Sequence, residues 1–176
     1  MGEALVVYES VFGDSETIAR AVAAGLSAHL ATDVASAADA PTGVGPDVRL
    51  LVVGGPTHAF GMPKPATREG AVKQYGAQVE NTGSGLHEWL DAARVPAGTG
   101  AAAFDTRMDH PKLVTKLNHA AKSEEKLLKG LGLTLVSPAE HFFVVDPKGP
   151  LADGEEERAR QWGRALAEIV TAGTRR

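Results

Sequence analysis

The densest run of chemically capable side chains lies between Tyr8 and Ile18: Glu9-Ser10-Val11-Phe12-Gly13-Asp14-Ser15-Glu16-Thr17. Three hydroxyls (Ser10, Ser15 and Thr17) surround Gly13 where an apolar run gives way to a helical repeat. The free N–H groups of a helix start suit an anion, and the helix dipole favours one. No Lys or Arg occurs between Glu3 and Arg20, and no Gly-x-x-x-x-Gly-Lys-Ser/Thr run is present. A P-loop holding a nucleoside triphosphate and its metal is therefore excluded. The remaining chemistry is that of one phosphate monoester held by neutral hydroxyls and backbone amides. Asp14 and Glu16 must then point outward, because an inward carboxylate would repel the phosphate.

Such a turn needs a strand before it and a helix after it, and the chain supplies both repeatedly. Short apolar runs occur at Ala4–Tyr8, Leu50–Val53, Ala101–Phe104, Leu133–Val136 and Phe142–Val145, with a weaker one around Val34. Continuous apolar character without alternation is the mark of strands buried on both faces, as in parallel sheets. Between them, Ile18, Val22, Leu26 and Leu30 form one helical stripe, and Ala159, Trp162, Leu166 and Ile169 another. Leu86, Trp89 and Leu90 mark a shorter helix, and residues 112–130 read as helix with a break expected at Ser123-Glu124-Glu125. Alternating strand and helix predict a doubly wound α/β fold in a single domain spanning 1–176. In such a sheet, ligands bind at the carboxyl ends of the strands, where the Glu9–Thr17 turn falls.

Composition narrows the function. The 176 residues are 43% hydrophobic and 23% charged, ordinary for a globular domain. Cysteine is absent, which removes thiol catalysis, disulfides and thiolate metal sites. A net charge of −4 argues against nucleic-acid binding. No two of the six histidines have metal-site spacing with carboxylate company, so no metal is expected. The first apolar run ends at Tyr8, too short for a signal core or membrane span, so a cytoplasmic protein without membrane contact is expected.

The segment from Val6 to Val22 resembles the FMN-binding signature of the flavodoxins. The aromatic Tyr8, the hydroxyl Ser10, Gly13, the hydroxyl Ser15 and the downstream alanine fall at family spacing, with Ser15 for the usual Thr and Asp14 for the common Asn. The resemblance continues through Gly54-Gly55-Pro56-Thr57-His58, Phe104-Asp105-Thr106-Arg107 and Gly149-Pro150-Leu151. It implies a five-stranded sheet of order 2-1-3-4-5 with helices on both faces, and FMN as cofactor. Ser10, Val11, Phe12, Gly13, Asp14, Ser15 and Thr17 would form the phosphate cradle. Pro56, Thr57, His58, Phe60 and Gly61, with Asp105, Thr106, Arg107 and Met108, would line the flavin ring. Gly13-Asp14-Ser15 also looks like the nucleophile block of GDS-type esterases, but no Asp has His three residues later. A receiver domain would need an Asp ending the third strand, where Gly54-Gly55 stands. A plain strand-to-helix turn without a ligand is the remaining reading.

The ring site departs from the family in two ways. Phe60 is the one aromatic carbocycle in the two ring-facing loops, serving as a stacking partner or a core anchor. Arg107, Met108 and His110 are the alternatives for the second face. The stretch Asp105–Lys129 carries six basic residues against four acidic ones, and Lys64, Arg68 and Lys73 against Glu69 add another +2. This basic character reads either as a solvated helix face or as a rim for an acidic partner or anionic substrate. The expected function is FMN-dependent electron transfer with a redox partner protein, its reductase and acceptor undetermined. The alternatives are an FMN-dependent NAD(P)H or quinone oxidoreductase on the same fold, and a non-redox interaction module with weakened flavin binding.

Overall fold

The computed structural model describes residues 1–57, 62–76, 84–108 and 120–173. The apolar runs become strands β1 (Ala4–Tyr8), β3 (Leu50–Pro56) and β4 (Gly100–Met108), and the weaker run becomes β2 (Thr32–Ser36). They pair in parallel in the order β2-β1-β3-β4. The fifth position is shared by two short segments, β5 (Thr134–Leu135) and β6 (Glu140–Val144), which both pair with β4 in parallel. Pro138 lies between them, and a proline has no N–H to give to the ladder. The order 2-1-3-4-5 is thus realised with six segments in five places.

Among the described residues, five helices cover the sheet: α1 (Asp14–Leu26), α2 (Pro65–Tyr75), α3 (Leu86–Ala92), α4 (Ala120–Gly130) and α5 (Glu155–Gly173). Successive strand residues point to opposite faces, which divides the core in two. Ala4, Val6, Leu50, Val52, Ala102 and Phe104 pack against α1 and α5. Leu5, Val7, Leu51, Val53, Ala101 and Ala103 face α3 and α4. The central strands β1, β3 and β4 are buried on both sides, which is why their apolar runs show no polar alternation. The scarce aromatics serve this core. Phe104, Phe142 and Trp162 meet edge to face with centroids 6.0–6.5 Å apart, and Trp89 Nε1 donates to Ala40 O at 3.2 Å.

Two elements differ from expectation. Helix α4 runs through Ser123-Glu124-Glu125 without a break. Glu124 occupies the inward position four residues before Leu128, and both are fully buried. Helix α2 has no apolar stripe and was not expected. Pro65 takes its first position, which tolerates a missing N–H, and Thr67 Oγ1 accepts the Lys64 N–H at 2.9 Å. Arg68, described below, ties α2 to the end of β1 and to α3.

Candidate functional site

The turn between β1 and α1 is built on Gly13, which has φ 99° and ψ −20°. An L side chain in the left-handed region is disfavoured by roughly 1–2 kcal/mol. A Cβ at Gly13 would meet nothing within 4 Å, so backbone conformation alone calls for glycine and the space beside it is open. Ser10 Oγ accepts the Gly13 N–H at 3.0 Å, which leaves the Ser10 proton to be donated. Thr17 Oγ1 spends its proton on Gly13 O at 3.1 Å. The first-turn N–H groups of Asp14, Ser15 and Glu16 have no intrahelical acceptor. Val11 and Phe12 pack with Ala71 and Val72, fixing the turn to α2.

Asp14 and Glu16 are both engaged away from this space. Glu16 Oε1 accepts from Arg20 Nη2 at 2.7 Å on the helix exterior. The Asp14 carboxylate accepts the Leu151 N–H and lies close to Gly149, ahead of α5. Partial burial pushes the Asp14 pKa up, and the Leu151 amide opposes that shift. Ser15 is turned inward, with its Oγ 2.6 Å from Thr106 Oγ1 near the end of β4. That bond ties the turn to the strand whose following loop was expected to face the ring. Thr57 extends the β3–β4 ladder by donating its N–H to Thr106 O at 2.9 Å.

On the opposite face of the same strand ends, the apolar rows give way to a buried polar cluster. Arg68 of α2 is fully buried, with Nε 2.6 Å from Glu9 Oε1 and Nη2 2.8 Å from Glu88 Oε2 of α3. Nη2 also donates to Pro63 O at 3.1 Å, and the Leu86 N–H donates to Glu9 Oε2 at 2.8 Å. Desolvation works against the Arg68 charge, but its bonds to Glu9 and Glu88 outweigh it and raise the pKa. Gly85 makes this packing possible, since a Cβ there would lie 2.3 Å from Arg68 Nη2 and 2.4 Å from Glu9 Oε2. Further along the same face, Asp105 is buried, with Oδ1 3.0 Å from His141 Nδ1 and 3.6 Å from Arg107 Nε. Glu124 of α4 completes the cluster. Burial first, then the like charges of Asp105 and Glu9, push its pKa well above the usual carboxylate range.

No protein-family model and no curated protein sequence matches the chain. Solved structures match it at the level of fold. A flavodoxin from the domain Archaea has a TM-score of 0.64 and 18% identity, over 96% of this chain and 98% of its own. Oxidised flavodoxin 1 from Bacillus cereus has a TM-score of 0.64 and 17% identity, over 94% of this chain and 97% of its own. A flavodoxin, WrbA-like protein from Agrobacterium tumefaciens has a TM-score of 0.59 and 18% identity, over 98% of this chain and 99% of its own. The chain has the flavodoxin fold.

In this flavodoxin fold, Ser10, Gly13, Asp14, Ser15 and Thr17 meet at the start of α1, and Pro56, Thr57, Asp105, Thr106, Arg107 and Met108 close the neighbouring strand ends. His58, Phe60, Gly61 and His110 lie outside the described residues, as do residues 111–119 of the expected basic helix. Two members of the expected basic rim are interior groups instead. Arg68 is fully buried, and the Arg107 side chain is 10% exposed beside Asp105. Their charges are opposed by Glu9, Glu88 and Asp105, so neither adds to an outward positive field. Glu9, Glu88, Glu124 and His141 were not singled out as site residues. One signal was available for Glu124, which falls in helical step with Leu128 and Leu131, where an apolar residue belongs.

Proposed function

We propose that this protein binds FMN and acts as a flavodoxin-like electron carrier for a redox partner protein. The observation that carries the reading is the β1–α1 turn. Its left-handed glycine opens space beside first-turn amides that have no intrahelical acceptor and beside the Ser10 proton, while the Asp14 and Glu16 carboxylates are bonded elsewhere. That donor set matches a phosphate monoester, and it stands at the carboxyl ends of the strands, where doubly wound folds bind ligands. The likeness to flavodoxins supports a flavin as the group attached to that phosphate.

FMN, when bound, supplies the ring that accepts and returns electrons, so the chain's own task is to hold and tune it. Ser10 and the amides of Asp14, Ser15 and Glu16 would hold the phosphate. The Ser15–Thr106 bond fixes the distance between the phosphate turn and the strand end under the ring. Arg68 anchors α2 to Glu9 at the base of the turn. On the ring side, Thr57 Oγ1 and Arg107 Nε are buried without hydrogen-bond partners, which suits a ligand with polar edges.

Titration of the purified protein with FMN, followed by quenching of flavin fluorescence, tests this reading. Saturable binding at micromolar FMN or below is expected, and absence of binding overturns it. Bleaching of the bound flavin by NAD(P)H without an added reductase would assign the protein to the FMN-dependent oxidoreductases instead.

A further inference from the structure

From Gly13 onward the β1–α1 turn carries two acids, Asp14 and Glu16, and no base before Arg20. The two acids are not equivalent. Arg20 donates to Glu16 Oε1 through Nε at 2.9 Å and Nη2 at 2.7 Å, so the Glu16 charge is largely offset. Among the described residues Asp14 makes no ion pair, and burial and the Leu151 amide set its pKa rather than any cation. Its carboxylate is nevertheless held in place from the segment before α5. It accepts the Leu151 N–H and abuts Gly149, where a Cβ would lie 2.5 Å from Oδ2 and 2.9 Å from Oδ1. The first residue of α1 thus presents an amide to the open space beside Gly13 and keeps an uncompensated carboxylate next to it.

We propose that Asp14 discriminates by charge in the phosphate turn: its carboxylate disfavours a doubly charged phosphate, so the turn takes a singly charged flavin phosphate most tightly. This rests on the flavin reading above and adds to it the charge state of the ligand. The start of a helix carries roughly half a positive charge. Asp14 stands at that start with a full negative charge, so the chain itself already answers the field that a phosphate would meet. A monoanion still gains the first-turn N–H bonds and the Ser10 proton. A dianion gains the same bonds but meets twice the repulsion, because Coulomb energy is proportional to charge.

The other charged groups around the turn do not undo this. Arg20 is bonded to Glu16, and Arg68 is buried between Glu9 and Glu88. The Tyr8 phenol at the end of β1 stays neutral, because burial and Glu16 raise its pKa. Before α5, Asp146, Lys148 and Asp153 are exposed, where water and salt screen them, and Glu155 is bonded to Arg158. Tying the turn to the segment before α5 needs an acceptor for the Leu151 N–H but no charge. An asparagine carbonyl serves that amide as well as a carboxylate oxygen does. A purely structural Asp14 would therefore leave ligand preference unchanged when its charge is removed, and Asp14→Asn separates the two roles.

Wild type, Asp14→Asn and Glu168→Gln are titrated with FMN and with riboflavin at pH 5.5 and pH 8. Glu168 is exposed near the end of α5, where Arg49, just before β3, donates to Val170 O, so Glu168→Gln removes one charge at the opposite edge of the sheet. Between these pH values the phosphate gains most of its second charge, with a pKa of about 6. The FMN affinity of the wild type should fall by about threefold to thirtyfold over that range. Riboflavin has no phosphate, and its affinity should stay within about twofold. At pH 8, Asp14→Asn should bind FMN more tightly than wild type by about the same threefold to thirtyfold, with a flatter pH dependence. Glu168→Gln should follow the wild type. An FMN affinity in Asp14→Asn no higher than that of wild type at pH 8 overturns the proposal while leaving FMN binding intact. An equal gain in Glu168→Gln, or an equal gain for riboflavin, does the same. Should Asp14→Asn fail to fold, a wild-type FMN affinity that does not fall from pH 5.5 to pH 8 overturns it alone. If the wild type binds neither ligand, the flavin reading fails and this proposal falls with it.

Discussion

Replacing Arg68 by Met isolates the contribution of the buried ion pair at the base of the turn. The guanidinium is fully buried and bonded to Glu9 at 2.6 and 3.1 Å, to Glu88 at 2.8 Å and to Pro63 O at 3.1 Å. Its loss leaves the Glu9 carboxylate, 9% exposed, with the Leu86 amide still donating to it but no cation beside it. Removing one member of a buried pair destabilises by about 3–5 kcal/mol. The share due to Glu88 is small, because that side chain is 32% exposed and regains water. For a chain of this length, each kcal/mol lowers the melting temperature by about 2–4 °C, so a drop of roughly 6–20 °C is expected. Adding Glu9→Gln to Arg68→Met removes the stranded charge. The double variant should lose less than the sum of the single losses by about 1–3 kcal/mol. Urea unfolding of the apoprotein at pH 7, followed by far-UV circular dichroism, measures all four corners of the cycle. A loss below about 1 kcal/mol in Arg68→Met would mean that the pair merely offsets its own desolvation. Strict additivity in the double variant would refute the claim that Arg68 acts through Glu9.

Three further outcomes follow from the geometry. Gly13→Ala places a methyl in open space but holds it at φ 99°, so the apoprotein should lose about 1–2 kcal/mol. It should also weaken FMN more than riboflavin, which parallel titrations would reveal. Thr106→Val strands the buried Ser15 hydroxyl, for a loss of about 1–3 kcal/mol in thermal or urea unfolding. The double variant Ser15→Ala/Thr106→Val should recover most of that loss. Glu124 has a pKa above its unfolded value, so the folded apoprotein binds this proton more tightly than the unfolded chain. The stability this confers is fully present below about pH 4.3 and is lost as pH rises toward the folded value. Glu124→Gln should remove this descending component. Urea midpoints collected from pH 4 to 7.5 would show a gap between variant and wild type that widens with pH, and a constant gap would refute the assignment.

The parts of this fold that were legible from sequence share one property, which is that their cause is local. Runs such as Leu50–Val53 and Ala101–Phe104 declare strands buried on two faces because every residue must be apolar. The turn at Gly13 is legible because its hydroxyls, its glycine and the helix start are contiguous. The buried cluster is made of pairings that no window contains. Arg68 meets Glu9 across 59 positions, Leu86 meets it across 77, and His141 meets Asp105 across 36. Until register sets Asp105 beside His141 and Gly55, each of these residues reads as an ordinary charged residue near a loop. Arg68 was counted toward a positive rim for this reason, since charge sums over a helix do not show which face is inward. Glu124 is the instructive exception. An acid in helical step with Leu128 and Leu131 interrupts the stripe that faces the sheet, and burying it there is unfavourable unless something else answers it. What answers it is a proton, kept there by burial and by the like charges of Asp105 and Glu9. Periodicity places the carboxyl inside, but those two acids come from strand ends that only the fold brings together.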